Sequence, residues 1–519
     1  MFIEISISII ALIIGLLFLA PFVREDNRLL LVATSWFIGW VALCCAQIVC
    51  LFFGISATLG NTALVLVIIL MLNWHFHYHK ADSTIETWHV NLINNLKPSS
   101  PYVVMCMLLI ITVVLTARDN VKSAPDVHQY EAVSVIFHNI GIVANSIANA
   151  GIVEMVVGAR LPLMVSSSNI VKQLGHEWHF TLPMLSGLFL MLGMLGIWNQ
   201  KENKFPFISS LFFFLIPVVL INNHNIKFHL GFLHSNWMTA CYFTLGALML
   251  TLYMDNRKSI WLFIGCILLG ATALLRKEML VISLVPLAFL VTYCHVPPKL
   301  KALALMIFLA VSTAWHIWGN FVLTDYGSLF TTSGHGGGVY SLIPIIGVAL
   351  LILIPFWRIG QERAFFLSLG LLVSSVFILY FCSGSFQATA AQFAQLLFDN
   401  RYGRWVGLWV PITLSFLCFL VVYLIYFLNK KNPSRINLKQ GIRELSFTFN
   451  CIIYSLFIIL IIYTVFEDPL ILGFGYSGNR VMVHFVPLAM WFTVSLMLYL
   501  WNNATGRERD TTVESCASN

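Results

Sequence analysis

The sequence predicts an all-α membrane protein, a polytopic bundle of about 13–15 transmembrane helices. Three observations carry this. Hydrophobic residues make up 59% of the 519 residues and charged residues only 10%. Apolar runs of about 18 residues or more recur along the chain, each long enough to cross a hydrocarbon core of roughly 30 Å. The runs are continuous and do not alternate with period two, which excludes a β-barrel. A mean hydropathy of +0.86 agrees with this reading. The 41 Phe and 15 Trp suit lipid-facing surfaces and interfacial belts.

In chain order the expected spans are 2–21, 29–53, 56–73, 101–117, 181–198, 207–222, 235–254, 259–275, 278–296, 302–323, 339–357, 364–383, 407–428, 446–466 and 480–501. Residues 1–20 lack a basic start and a small-residue cleavage site, so they read as a retained helix. Lys and Arg set the orientation. Lys201, Lys204, Arg257, Lys258, Lys299, Lys301, Arg358, Arg363, Lys430, Lys431, Arg435, Lys439, Arg443, Arg507 and Arg509 all fall on one side of this topology, which is expected to be cytoplasmic. The opposite side then carries 118–180, 223–234, 276–278, 324–338, 384–406 and 467–479. Segment 118–180 is too apolar for a disordered loop, and amphipathic helices along the membrane surface are expected there. The expected divisions are N-terminal helices in 1–100, a core in 101–324, C-terminal helices in 325–501 and a cytoplasmic tail in 502–519.

The net charge of +7 is spread over short loops and forms no basic stripe with stacking aromatics, so nucleic acid is not an expected partner. The partner implied by composition is the lipid bilayer. The 11 cysteines show no CxxC or Cys/His ligand spacing, so neither a disulfide framework nor a zinc site is implied.

Chemistry concentrates first in Pro125-Asp126-Val127-His128-Gln129-Tyr130-Glu131, just outside the span 101–117. Carboxylates near lipid are costly and mark functional-site candidates. A helix starting near Pro125 puts Asp126 at its positive end. A plain N-cap role for Asp126 fits the same spacing.

A span, a short connector and Pro-Asp-x-x-x-Tyr entering an amphipathic helix resembles the first outer loop of GT-C glycosyltransferases, such as the lipid A aminoarabinose transferases and protein O-mannosyltransferases. The resemblance covers about half of the chain in plan and only Ala124–Val133 in motif. It departs at Val127, where those families often have Glu. It implies a GT-C-like core with a long amphipathic first outer loop. It also implies a polyprenyl-phosphate-linked sugar donor and a glycan, lipid or protein acceptor. The enzyme would be a multi-pass protein of the bacterial cytoplasmic (inner) membrane with its site facing outward. Asp126 is then the base or the acceptor-orienting group, Glu131 a second catalytic acid, and Asp119 and Tyr130 substrate contacts. No cofactor is required. A divalent cation is compatible with the site, but no Asp-x-Asp pair on the outer face demands one.

Such a transfer needs cations on the phosphate leaving group. Arg276 and Lys277, at the outer end of span 259–275, resemble the basic junction between two core helices of that class. Glu278 beside them leaves open a snorkelling interface pair. Arg480 looks like a late outer arginine of the same families, although an interface anchor has the same signature. Arg401, Arg404 and Lys227 are further outer cations, and Arg suits bidentate phosphate contacts. Arg404-to-Pro411 and Arg480-to-Pro487 echo one another, each with Arg at the edge and Pro two turns in. His75, His77 and His79 alternate and would scatter around a helix, so a metal site is not expected. His224, His229 and His234 share an outer loop with Lys227 and could touch sugar or phosphate. His176-Glu177-Trp178-His179 lacks zincin spacing, and Gly334–Gly338 is not a P-loop.

Two other readings remain open at this level. An O-antigen-type polymerase or ligase would rely on 384–406, with Arg401 and Arg404, more than on Asp126. A transporter or lipid flippase would need mid-span charges and matched halves. Few such charges and no two-fold hydropathy symmetry are present, Glu154 and Arg160 being the nearest candidates.

Overall fold

The computed structural model describes residues 2–19, 28–78, 134, 162–175, 181–201, 219, 222–226, 235–322, 345–352, 361–428, 436–466 and 477–504. Among these there is no strand. Seven helices are long and apolar enough to cross a membrane, and five shorter apolar helices accompany them. The chain is a multi-pass helical membrane protein, as its composition predicts. The chain divides into two compact units.

The first unit holds residues 1–204, 226–284 and 296–354. Its helices are α1 (Phe2–Leu19), α2 (Arg28–Phe52), α3 (Leu59–Tyr78), α4 (Pro162–Gln173), α5 (Leu182–Lys201), α6 (Ser235–Asn256), α7 (Ser259–Ala273), the single turn α8 (Met279–Ile282) and α10 (Pro298–Val322). Helices α1 and α2 run antiparallel at close range. A Cβ on Gly39 would lie 1.7 Å from the Ala11 carbonyl oxygen, and one on Gly15 1.7 Å from that of Ser35. Only glycine lets two backbones meet this closely, which is how packing replaces the hydrophobic effect between membrane helices. Helix α6 is buried from Ser235 to Met254 and is flanked by α5 and α7.

Helix α4 corrects the expectation for its part of 118–180. Pro162 to Val171 are all buried and the helix packs on α2, so this stretch has no exposed polar face of the kind an amphipathic surface helix presents. The reason is hydrogen-bond satisfaction. Asn169 donates to Gln47 Oε1 (3.1 Å) and to the Ala57 carbonyl (2.9 Å). Gln173 donates to Ala57 O at 3.0 Å and accepts from Leu59 N at 2.7 Å. The α2–α3 corner thus takes up the amides of Asn169 and Gln173, which a surface helix would give to water.

The second unit holds residues 205–225, 285–295 and 355–519. Its helices are α9 (Leu284–Tyr293, which begins one residue before the unit boundary), α11 (Gln361–Cys382), α12 (Gly384–Phe398), the short turn α13 (Asn400–Gly403), α14 (Trp409–Leu428), α15 (Ile436–Phe466), α16 (Ser477–Met482) and α17 (Val486–Ala504). Phe416, Phe419, Phe449 and Phe492 from α14, α15 and α17 form its aromatic core, with centroids 5.2–5.5 Å apart for four of the pairs. Helix α11 turns Leu367, Phe377 and Phe381 outward, a surface suited to acyl chains. Helix α12 lies within a segment expected as an outer loop. It buries Phe386, Thr389, Phe393 and Leu396, spaced at the helical period. Ser383 caps it by accepting from Phe386 N at 3.2 Å.

Candidate functional site

Helix α12 ends at Asp399, and the functional geometry of the second unit begins there. Asp399 caps α13 by accepting from Arg401 N at 2.9 Å. It also accepts the Arg401 guanidinium, at 3.0 and 3.1 Å from Nε and 2.6 Å from Nη2. The Arg401 side-chain hydrogen bonds hold the Asp399 carboxyl below its usual range. Arg401 is 83% exposed, yet its charge is answered by this carboxylate. The chain then turns sharply. Gly403 has no room for a side chain, since a Cβ there would sit 1.9 Å from the Leu396 carbonyl oxygen. Arg404, Val406 and Gly407 take left-handed conformations with φ of 51°, 52° and 67°. Such backbone suits glycine and is costly for a β-branched residue.

This turn meets two distant segments. Asn223 Nδ2 donates to Trp405 O at 2.7 Å, and Asn223 Oδ1 accepts from Asn225 N at 3.0 Å. Asn225 Nδ2 donates to Asn479 Oδ1 at 3.2 Å, and Asn479 Nδ2 donates to Tyr402 O at 3.2 Å. Arg404 Nη1 stands 3.4 Å from His224 Nε2. A guanidinium can only donate, so a hydrogen bond here takes the ring nitrogen as its acceptor. Arg480 follows Asn479 on α16. One turn on, His484 is fully buried in a 3-10 turn, Val483–Phe485. Pro487 cannot donate to the Val483 carbonyl, which accounts for the tightened turn.

The structure therefore brings together three of the expected outer segments and places Arg401, Arg404 and the start of α16, with Arg480, in one neighbourhood. Asn223, Asn225, Asn479, His484 and Asp399 were not singled out as site residues by the sequence. The polar run Asn222-Asn223-His224-Asn225 between apolar stretches was the available signal. Asp119, Asp126, Tyr130, Glu131 and Lys227 lie outside the described residues.

Arg276 and Lys277 belong to the first unit, in the turn between α7 and α8. Arg276 Nε pairs with Glu278 Oε1 at 2.7 Å, both side chains being about one-fifth exposed (22% and 19%). Burial holds the Lys277 ammonium below its usual value, and Glu278 partly opposes this. Leu163 N donates to Leu274 O at 3.2 Å, so the first turn of α4 sits against this basic junction. Among the described residues no cluster of His, Cys, Asp and Glu could hold a metal ion.

No protein-family model, curated protein or solved structure matches the chain.

Proposed function

We propose that the chain is an integral-membrane glycosyltransferase. It takes a sugar from a polyprenyl-phosphate carrier and passes it to a cell-envelope glycan, lipid or protein at the outer face of the membrane. The observation that carries this reading is the Arg404–His224 pair, set in an asparagine network that also ties in Asn479, the residue before Arg480. Such a cluster fits an anionic headgroup whose lipid tail stays in the bilayer.

Two chemical tasks follow. The departing phosphate needs fixed cations, and arginine meets its oxygens with paired donors. Arg404 and Arg480 take this role in the second unit. The acceptor hydroxyl must lose its proton as it attacks the anomeric carbon. In the GT-C form of the reading Asp126 is the base, supported by Glu131, with Asp119 and Tyr130 on the substrate.

The Arg404–His224 contact favours a second form, the O-antigen-type polymerase or ligase. That form depends on the 384–406 segment, and an imidazole, His224 or His484, serves as the proton acceptor. Transfer of labelled sugar from a polyprenyl-phosphate pool, in membranes carrying Asp126→Asn or Arg404→Ala at matched protein level, separates the two. Loss in both variants supports the GT-C form. Loss in Arg404→Ala alone supports the polymerase or ligase form. Full transfer in both removes the cluster from the reaction.

A further inference from the structure

The asparagine network leaves one group over. Two backbone carbonyls, Tyr402 O and Trp405 O, fix the orientation of the asparagine amides bonded to them, because only an Nδ2 can donate to a carbonyl. Asn479 must then offer Oδ1 to Asn225, and Asn225 must answer with Nδ2. Flipping the Asn225 amide would set two acceptors face to face. Its Oδ1 is therefore the leftover atom by construction, and it is buried with no donor among the described residues.

The same node carries the complementary deficit. Trp405, whose carbonyl holds Asn223, has a buried Nε1–H with no acceptor among the described residues, and so does Trp409 one turn on. Their rings pack edge to face with centroids 6.1 Å apart. Indole N–H groups lacking acceptors also occur elsewhere, at Trp36, Trp237 and Trp261. The Asn225 carbonyl is thus the primary observation and the tryptophans complete it. An unanswered acceptor and two unanswered indole donors, tied to one network through the Trp405 carbonyl and the Trp405–Trp409 ring contact, complement a hydroxyl group, which donates and accepts at once.

We propose that Asn225 Oδ1, with the indole N–H groups of Trp405 and Trp409, receives a hydroxyl of the carried sugar, forming a glycosyl subsite beside the Arg404–His224 pair. The inference rests on the glycosyl-transfer reading above.

The test uses the full chain in nanodiscs and two kinds of probe. One is farnesyl phosphate. The other is farnesyl phosphate carrying glucose, galactose, mannose or N-acetylglucosamine. In the wild type at least one sugar-bearing probe binds about tenfold more tightly than farnesyl phosphate, the worth of one well-made hydrogen bond to a buried group. Asn225→Leu and, separately, Trp405→Phe shrink that advantage to about twofold or less, and Trp405→Phe, which keeps the carbonyl that holds Asn223, leaves farnesyl phosphate binding unchanged. Trp405→Phe keeps the ring and decides the matter alone if Asn225→Leu does not fold. The subsite is refuted if the advantage survives both variants, if farnesyl phosphate binding falls equally, or if no sugar adds affinity in the wild type. Wild-type protein that binds no probe at all overturns the glycosyl-transfer reading itself.

Discussion

Replacing Gly403 by Ala should distort the candidate site while leaving the bundle inserted. An added Cβ would lie 1.9 Å from the Leu396 carbonyl oxygen and 2.5 Å from Trp405 Cδ1. Ordinary contact begins near 3.4 Å, so the backbone of α12 and the turn must separate by about 1.5 Å. The obstacle is a backbone carbonyl, which cannot swing aside as a flexible side-chain end could. Overpacking of this kind costs about 1–3 kcal/mol. Because the turn aims Arg404 and Trp405, a displacement of that size should lower transfer about 100-fold. Gly370→Ala on α11 is the control, since nothing lies within 4 Å of its added Cβ. The assay pairs thermal stability by fluorescence-detected size exclusion with sugar transfer at matched protein level. Gly403→Ala with the stability and transfer of the wild type would refute the reasoning.

Three further outcomes follow from the structure. Val406 is 67% exposed and left-handed at φ 52°, so Val406→Gly should raise stability by about 1 kcal/mol net of the extra freedom of glycine; a lower thermal midpoint would contradict the strained turn. Lys277 gives up its proton earlier when folded than when unfolded, so its ionisation makes stability rise with pH between its lowered value and the ordinary lysine range. Glu278 holds that value up, so Glu278→Gln should move acylation of Lys277, read by mass spectrometry, to lower pH, and an unchanged labelling profile would remove the electrostatic link. Gly39→Leu should force α1 off α2 and lower the thermal midpoint far more than Gly370→Leu, whose position is open; equal effects would deny the close backbone contact.

Much of the bundle was legible in the sequence because a membrane span is a local property. Segment 235–254 is found as Ser235–Asn256, 407–428 as Trp409–Leu428 and 480–501 as the run from Ser477 to Ala504. Helix α12 was missed because at 15 residues it is too short to span, and Gln387, Gln392 and Gln395 give its other face a loop-like composition. The burial of helix α4 was not legible because segment 118–180 reads as amphipathic surface helices, whereas Gln47 and Ala57 satisfy Asn169 across more than one hundred residues of sequence. The site was legible only in pieces. Arg401, Arg404 and Arg480 stood out as charges in an apolar chain. The asparagines that join their segments did not, because Asn223 meets Trp405 across 182 residues and Asn225 meets Asn479 across 254. No local pattern encodes such pairings.

The most direct test is transfer by purified protein in liposomes loaded with a radiolabelled polyprenyl-phosphate sugar pool and an extract of envelope acceptors. Glycosyl transfer predicts that label leaves the organic-extractable donor and appears in a larger acceptor product, with Arg404→Ala abolishing the change. Label that stays bonded to its carrier, or that merely crosses the bilayer unaltered, would contradict it.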